Sequence, residues 1–205
     1  MYRFDVINHF IKKYNFKNYL EIGVFNGECI EAVDILHKDG IDPGAEGVVH
    51  PKVNYPITSD EFFELIKDHS EIKYDIVFID GLHHSTQVIK DITNSLKHSI
   101  DGGVIAMHDC NPPTKAHAQL PRNEQREWNG DTYKAFLQSR IDNPQHKHFV
   151  VDDDWGVGVI LKNQRDFNIN KNELQQGIYS WDYFNTNRVK LLNLTSPDEF
   201  KESYK

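Results

Sequence analysis

The sequence predicts an α/β protein with a doubly wound, Rossmann-like and mostly parallel sheet that ends in an antiparallel hairpin. Short apolar runs alternate with segments of helical spacing five times, which is typical of helices on both faces of a parallel sheet. The clearest run, Tyr74–Gly81, is apolar on both faces, as expected of a central parallel strand. Two apolar runs near the C-terminus, Lys147–Val151 and Gly156–Lys162, are joined by only four residues, which favours a hairpin over a parallel crossover.

The first half of the chain supplies four of these strand and helix units. An amphipathic helix over Phe4–Tyr14 leads into a strand near Tyr19–Val24, and a glycine turn then opens a helix to about His37. Predicted after it are a brief strand ending at Asp42, a short third strand near Val53–Ile57, a helix capped by Thr58, Ser59 or Asp60, and the strand Tyr74–Gly81.

The second half continues the alternation and adds a tail. Predicted in order are a helix over His84–His98, a buried strand over 104–110, a long loop over Asn111–Trp128, a helix over Asp131–Ile141 and the hairpin. A loop around Asn168–Asn172 and helices over Trp181–Leu194 and Ser196–Tyr204 complete the chain. We expect one domain over 1–205, with a core at about 14–162 and a helical tail at 163–205.

Composition excludes several classes of protein. With 39% hydrophobic and 26% charged residues among 205, the chain has an ordinary globular composition. A formal net charge of −8 argues against non-specific nucleic-acid binding, which needs a basic face. No apolar run reaches the ~18 residues of a membrane span, and no export signal is evident. Only two cysteines, without C-x-x-C spacing, fit a reducing compartment, so we expect a cytoplasmic protein.

The glycine turn after the first strand is the stretch around which the site is expected to form. Its spacing, Glu21-x-Gly23-x-x-x-Gly27, differs from the G-x-G-x-x-G of dinucleotide-binding proteins. Glycines in such a turn allow a close backbone approach to a ligand. An acid at Glu21 favours a ligand with a cationic group over a bare pyrophosphate. An ordinary strand-to-helix turn is the alternative interpretation.

Polar residues and glycines follow almost every predicted strand. In a doubly wound sheet the ligand lies beyond the carboxyl ends of the strands, so these positions are the candidate site. Asp42, nineteen residues after Gly23, is placed to accept both hydroxyls of a ribose, although an aspartate before proline is also common in turns. The candidates are Glu21, Gly23, Gly27, Asp42, Ser59, Asp60, Asp80, His83, His108, Asp109 and Asn111.

Taken together, these motifs resemble a known family. The stretches EIGVFNG, GIDP, TSDEFF, YDIVFIDGLHH and GGVIAMHDCNP, followed by the hairpin, are similar to class I S-adenosylmethionine-dependent methyltransferases. The resemblance covers about Tyr14 to Lys162 and is greatest to small-molecule and sugar O-methyltransferases whose fourth strand ends in Asp-Gly-x-His. Phe25 departs from the glycine that is commoner at its position.

The resemblance implies a fold, a cofactor and a set of residues that bind it. It implies a seven-stranded sheet whose last strand is antiparallel, and S-adenosylmethionine as cofactor. Glu21, Gly23 and Gly27 would then line the methionine and ribose end, and Asp42 would hold the ribose hydroxyls. The positions expected to complete the cofactor site are Ser59 and Asp60, near the adenine, and Asp80.

Methyl transfer to a hydroxyl group needs a base, a Lewis-acidic metal, or both. His83 follows Asp80 by three residues and has an unperturbed pKa near ~6.5, so we predict His83 and Asp80 as the catalytic pair, with His84 starting the next helix. Asp80 and Asp109 end strands expected to be adjacent, and with His108 they would suit Mg²⁺ or Mn²⁺. Metal-dependent relatives usually show Asp-Asp or Asp-Asn where this chain has His108-Asp109, and a capping role for Asp109 is the alternative.

The sequence is compatible with three functions. The first is O-methylation of a small hydroxylated acceptor, with a sugar or glycoside favoured. The second is a nucleotide-cofactor oxidoreductase, against which stand Glu21 and the missing G-x-G-x-x-G. The third is a cofactor-binding protein without turnover. Neither a nucleic-acid nor a membrane partner is expected, whereas a homodimer is a possible assembly.

The wall of the acceptor pocket could be formed by residues of the long loop and of the hairpin tip. These are Trp128, Asn129, Asp131 and Asp152–Trp155.

Overall fold

The computed structural model describes residues 1–44, 48–122, 127–165 and 169–205. Parts of three predicted segments fall outside the described residues: 45–47 after the second strand, 123–126 in the long loop, and 166–168, which includes Asn168. The described strands are β1 (Asn18–Ile22), β2 (His37–Ile41), β3 (Tyr74–Ile79), β4 (Ser99–Met107), β5 (Lys147–Val151), β6 (Val157–Leu161) and β7 (Leu194–Thr195). The described helices are α1 (Arg3–Tyr14), α2 (Glu28–Ala32), α3 (Ser59–Leu65), α4 (Ser85–Lys97), α5 (Thr132–Asp142), α6 (Lys171–Tyr179), α7 (Trp181–Leu192) and α8 (Pro197–Ser203).

The strands form one seven-stranded sheet in the order β2-β1-β3-β4-β6-β5-β7, which confirms the predicted fold class. β2, β1, β3 and β4 are parallel neighbours, and β6 pairs antiparallel with both β4 and β5. Chain order reverses direction across the β1–β3 pair, because β1 continues to β2 on one side and β3 continues to β4 on the other. This is the position at which a doubly wound sheet opens a crevice for a ligand.

Helices cover both faces of the sheet. Successive strand residues point to opposite faces, so Leu20 and Val77 pack under α3 to α7, whereas Tyr19 and Phe78 pack under α1, α2 and α8. The apolar side chains of the central strands are therefore buried on both sides, as the apolar run at β3 predicts. None of the helices in the described ranges is both long and apolar enough to cross a membrane.

One predicted strand, Val53–Ile57, is absent from the sheet, and β7 is a strand that the sequence does not predict. Val53–Ile57 forms only an isolated bridge, Ile41 to Tyr55, because the Asn54 side chain accepts the Gly40 N–H that a ladder would use. The sheet reaches seven strands instead through β7, which pairs parallel with β5 at Val150–Leu194 and Val151–Thr195. Two residues are too few to show a period in the sequence.

The helices also differ from the prediction at three places. α2 ends at Ala32 rather than near His37, because Val33 adopts an extended conformation and Asn8 Oδ1 accepts the Asp34 N–H. α6 is a helix that the prediction lacks: it begins at Lys171, within the predicted loop, where Asn170 caps it by accepting the Glu173 N–H. α7 ends at Leu192 because Asn193 takes a left-handed conformation, φ 46°.

Candidate active site

Carboxyl ends of β1, β2, β3 and β4 open into one cleft of about 1230 Å³. Nine of the eleven predicted site residues line it; Gly27 and Asn111 do not, and the Asn111 side chain instead donates to Asp152 Oδ1 at 2.9 Å. The lining positions among the predicted residues are Glu21, Gly23, Asp42, Ser59, Asp60, Asp80, His83, His108 and Asp109.

Gly23 is required by the protein's own backbone. Its φ is +90°, and a Cβ there would lie 2.2 Å from the Asp80 carbonyl oxygen and 2.6 Å from Gly81 Cα. The Asp80 N–H donates to Ile22 O at 2.8 Å, which holds the ends of β1 and β3 together at this point. The glycine therefore permits the close approach of two strand ends, in addition to any approach of a ligand.

Gly27 has a similar role toward a side chain. It precedes α2 with φ +82°, and a Cβ there would lie 2.3 Å from the ring of His50. His50 also faces Glu31 at 3.5 Å and accepts the Lys52 N–H, so it fastens the segment after β2 onto the start of α2.

Glu21 is a buried acid rather than an open carboxylate. It is 1% exposed, and the Tyr19 hydroxyl donates a hydrogen bond to its Oε2 at 2.5 Å. Burial raises the pKa of Glu21 to about 8, although the hydrogen bond from Tyr19 opposes the shift. At neutral pH the side chain is therefore largely neutral in the ligand-free protein.

Asp42 organises the turn at the end of β2. Its Oδ2 accepts the Phe25 N–H and its Oδ1 accepts the Gly44 N–H, each at 2.7 Å. The carboxylate thus ties the glycine turn to the segment after β2, and each oxygen keeps a further lone pair for a ligand. Phe25 has φ 46°, a left-handed value that explains why glycine is commoner there, and its ring is 78% exposed at the mouth of the cleft.

One end of the cleft is formed by α3 and α4. Of the three predicted candidates, Thr58 caps α3, and Thr58 and Glu61 form a reciprocal capping box. From α4, Gln87 Nε2 reaches Ser59 Oγ at 3.2 Å, Asp60 Oδ1 at 2.9 Å and Asp91 Oδ1 at 3.1 Å. The Gln87 amide and the ion pair between Lys90 and Asp60 Oδ2 therefore join the two helices across this end of the cleft.

The other end gathers two acids and two histidines, as the adjacency of the strand ends predicts. His83 Nε2 lies 3.3 Å from Asp80 Oδ1, and His83 Nδ1 lies 3.2 Å from Asp109 Oδ2. His108 Nδ1 lies 3.4 Å from Asp80 Oδ1 and 3.3 Å from Asp109 Oδ2. Asp109 has φ 61°, a strained backbone of the kind that is concentrated at functional sites.

Charges in this group stabilise one another. Burial by itself would lower the pKa of both histidines, but the carboxylates of Asp80 and Asp109 outweigh it and raise them. In return His108 and His83 hold the pKa of Asp80 well below its usual range, against the effect of burial. In its protonated form each imidazole supplies positive charge between carboxylates that would otherwise repel.

These donors suit a hard divalent cation. Asp80, His83 and Asp109 each offer an atom within 4.8 Å of the others, and two carboxylates with one imidazole fit Mg²⁺ or Mn²⁺. The prediction named His108 as the third donor. His83 completes the compact group, while His108 faces the same two carboxylate oxygens from the next strand.

The predicted pocket wall divides into contacting and supporting residues. Trp128 and Trp155 line the cleft, and the Trp128 ring stacks on His83 with centroids 5.4 Å apart. Asn129 is fully buried and donates to Asp109 Oδ1 at 2.5 Å. Asp131 instead accepts the Ser85 N–H at 2.6 Å at the start of α4 and has a structural role.

Arg3 is a site residue that sequence reasoning missed. Its guanidinium reaches Glu28 at 2.7 Å and Asp154 at 3.1 Å, and it faces Asp80 Oδ2 at 3.8 Å. Asp154 in turn faces His108 Nε2 at 3.5 Å, and although burial opposes it, His108 and Arg3 lower the pKa of Asp154 to about 2. Because Arg3 is at the start of an amphipathic helix, its sequence pattern is that of a solvent-facing charge.

His84 and two residues of the C-terminal tail lie outside the acid cluster. His84 is the residue before α4, and its ring packs edge-on against Trp128 rather than entering the acid cluster. Phe184 and Leu191, on α7, are buried in the core of the domain.

Comparisons with known proteins agree with the fold. Residues 31–110 match the family described as methyltransferase domain, a stretch that runs from α2 through the end of β4 and includes Asp42, Asp80 and His83. No curated protein matches the sequence significantly.

Similar solved structures are methyltransferases of low sequence identity. An O-methyltransferase from Bacillus cereus in complex with S-adenosylhomocysteine is 13% identical, with 78% of this chain and 80% of that chain covered and a TM-score of 0.54. TomG from Streptomyces achromogenes, an O-methyltransferase of tomaymycin synthesis in complex with S-adenosylmethionine, is 15% identical over 77% and 78%, with a TM-score of 0.55. MycE from the mycinamycin pathway, in complex with Mg, S-adenosylhomocysteine and mycinamycin VI, is 21% identical over 79% of this chain and 49% of that chain, with a TM-score of 0.50. Residues 31–110 thus match a methyltransferase domain, and the fold of the chain is that of these solved methyltransferases.

Proposed function

We propose that the chain transfers the methyl group of S-adenosylmethionine to a hydroxyl group of a small acceptor, with His83 as the general base. The observation that carries the proposal is the convergence of Asp80, His83 and Asp109 at the ends of β3 and β4, inside the cleft. That two of these similar solved structures are O-methyltransferases supports an oxygen acceptor.

The cofactor part of the proposal uses the residues at the ends of β1 and β2. Glu21 and the Gly23 and Gly27 turn would border the methionine and ribose end, and Asp42 would accept the ribose hydroxyls. The adenine end would lie at Ser59 and Asp60. Asp42 supports this assignment because its two oxygens are fixed by the Phe25 and Gly44 N–H groups and need no reorganisation to bind.

His83 is suited to take the proton of the acceptor. Its ring is oriented from both sides, by Asp80 and Asp109, and is packed by Trp128. As the acceptor oxygen bonds to the methyl carbon and the S–CH₃ bond breaks, the hydroxyl proton passes to this imidazole, and the carboxylates stabilise the imidazolium that forms.

A divalent ion held by Asp80 and Asp109, with His108 as the third donor so that His83 remains the base, would lower the pKa of a coordinated acceptor hydroxyl. The chain's own part in this is to present carboxylate and imidazole donors at converging strand ends. Asn129 donates to the second oxygen of Asp109, and Arg3 faces the second oxygen of Asp80 at 3.8 Å.

Among hydroxylated acceptors we favour a sugar or glycoside. Indole faces pack against sugar rings, and Trp128 and Trp155 both line the cleft beside the acid cluster. Indoles pack equally against aromatic rings, so the decisive experiment is a panel that contains both kinds of acceptor.

The test is methyl transfer from labelled S-adenosylmethionine to sugars, glycosides and aromatic diols. We expect turnover with at least one hydroxylated acceptor and a loss of about 10²–10⁴-fold in His83→Ala, because a general base contributes that much. S-adenosylhomocysteine affinity should change little in this variant. His84→Ala is the matched control, since its ring packs outside the cluster. Equal losses in the two variants would refute the assignment of the base.

A further inference from the structure

Asp91 is a buried acid that neither the sequence prediction nor the proposed chemistry uses. It is on α4, lines the cleft at the end formed by α3 and α4, and is 1% exposed. No described cation forms an ion pair with it, because its neighbour Lys90 binds Asp60 Oδ2 at 2.7 Å instead. Burial raises its pKa to about 6, so the carboxylate is mostly charged at neutral pH. A buried charge of this kind is costly unless a partner compensates it.

The group around Asp91 has more acceptors than donors. Gln87 Nε2 carries two hydrogens, yet three oxygens lie within hydrogen-bond distance of it, on Ser59, Asp60 and Asp91. The Ser59 hydroxyl supplies one more hydrogen, whereas Asp91 alone offers about four lone-pair sites. This end of the cleft therefore favours a ligand group that donates hydrogen bonds, and the density of carboxylates disfavours one that only accepts them.

The geometry points to Asp91 as the residue that selects the adenine base of the cofactor, by accepting a hydrogen bond from its 6-amino group. The inference rests on the proposed function, which places the ribose at Asp42 and the adenine toward Ser59 and Asp60. Asp91 is better suited than Asp60 to this selection, because Asp60 is exposed and already paired with Lys90, whereas Asp91 is shielded from water. Such a hydrogen bond discriminates strongly between ligands, because a ligand that lacks the donor leaves the buried acceptor unsatisfied.

The test compares S-adenosylhomocysteine with the analogue in which purine replaces adenine, so that only the 6-amino group is missing. Calorimetry on the wild type should show binding of the analogue weaker by about 10–150-fold, as expected for one hydrogen bond to a charged acceptor. In Asp91→Ala the ratio of the two dissociation constants should fall below about threefold, and Asp91→Asn, which keeps an acceptor oxygen, should retain part of it. Asp68→Ala, an exposed acid just beyond α3, is the control that keeps the ratio.

The outcomes separate this inference from the proposed function. If the folded wild type binds neither ligand, the proposed function fails and this inference fails with it. If it binds both ligands equally, the proposed function stands and the role of Asp91 is refuted without any variant. A ratio that survives in Asp91→Ala, or that disappears in Asp60→Ala instead, also refutes it. Should Asp91→Ala fail to fold, the wild-type ratio and that of Asp91→Asn decide.

Discussion

Replacing Gly23 by alanine should damage this protein far more than a left-handed glycine alone explains. At φ +90° a Cβ costs about 1–2 kcal/mol in backbone strain. The same Cβ would also lie 2.2 Å from the Asp80 carbonyl oxygen and 2.5 Å from its carbon, and neither backbone atom can rotate away. Relief requires the ends of β1 and β3 to separate, which adds about 1–3 kcal/mol of overpacking and weakens the bond from Asp80 N–H to Ile22 O. We therefore expect a total loss of about 3–5 kcal/mol in the free energy of unfolding.

Gly102→Ala provides the matched control for this prediction. Gly102 has φ +78°, and a Cβ there meets no atom within 4 Å, so only the strain of about 1–2 kcal/mol should be lost. Urea unfolding followed by circular dichroism measures both variants, and calorimetry with S-adenosylhomocysteine shows whether displacement of Asp80 also disrupts the cleft. Equal losses of stability in the two variants would refute the steric account of the glycine turn.

Two further predictions concern the acids of the cleft. The folded-state pKa of Glu21, about 8, exceeds its ordinary value of 4.5, so the folded protein holds this proton more tightly than the unfolded chain does. The free energy of unfolding of the wild type, relative to that of Glu21→Gln, should therefore be greatest below pH 4.5 and fall by up to about 5 kcal/mol as pH rises to about 8. Thermal unfolding of both proteins across this pH range is the measurement, and parallel pH profiles would contradict the prediction. Mn²⁺ should bind the wild type and bind Asp109→Asn at least about tenfold more weakly, since a ligating carboxylate is lost. Unchanged affinity in calorimetry, together with turnover that survives prolonged chelation, would favour a purely structural Asp109.

Much of the fold follows from local pattern. The apolar run at β3 is long and unbroken, and Thr58 and Ser196 are recognisable cap residues, so β3, α3 and α8 appear close to where they are predicted. β4 differs, because it begins at Ser99 and ends at Met107, whereas the prediction is 104–110. β7 was missed because a two-residue strand has no period and forms only after Asn193 turns the chain back along β5. The predicted strand at Val53–Ile57 failed because the Asn54 side chain competes for the backbone N–H of Gly40.

The candidate site residues that could be predicted from the sequence are those at the ends of parallel strands. Asp80, His83 and Asp109 could be placed together because parallel strands end at one edge of the sheet. Arg3 and Asp91 could not, since each is on a helix where its charge has the pattern of a solvated face. Only the tertiary packing of α1 and α4 brings them to the cleft. The roles of Gly23 and Gly27 toward protein atoms were equally hidden, because the neighbours concerned, Asp80 and His50, are distant in sequence.

The most direct test of the account is calorimetric titration of the purified protein with S-adenosylhomocysteine. We predict one site per chain, with Asp42→Ala weakening binding by about 1–3 kcal/mol, because each ribose hydrogen bond to a charged acceptor contributes on that scale. Circular dichroism of both proteins confirms that they are folded. If the folded wild type binds neither S-adenosylhomocysteine nor S-adenosylmethionine, the central claim is contradicted; if Asp42→Ala binds as tightly as the wild type, the ribose is not held at the end of β2.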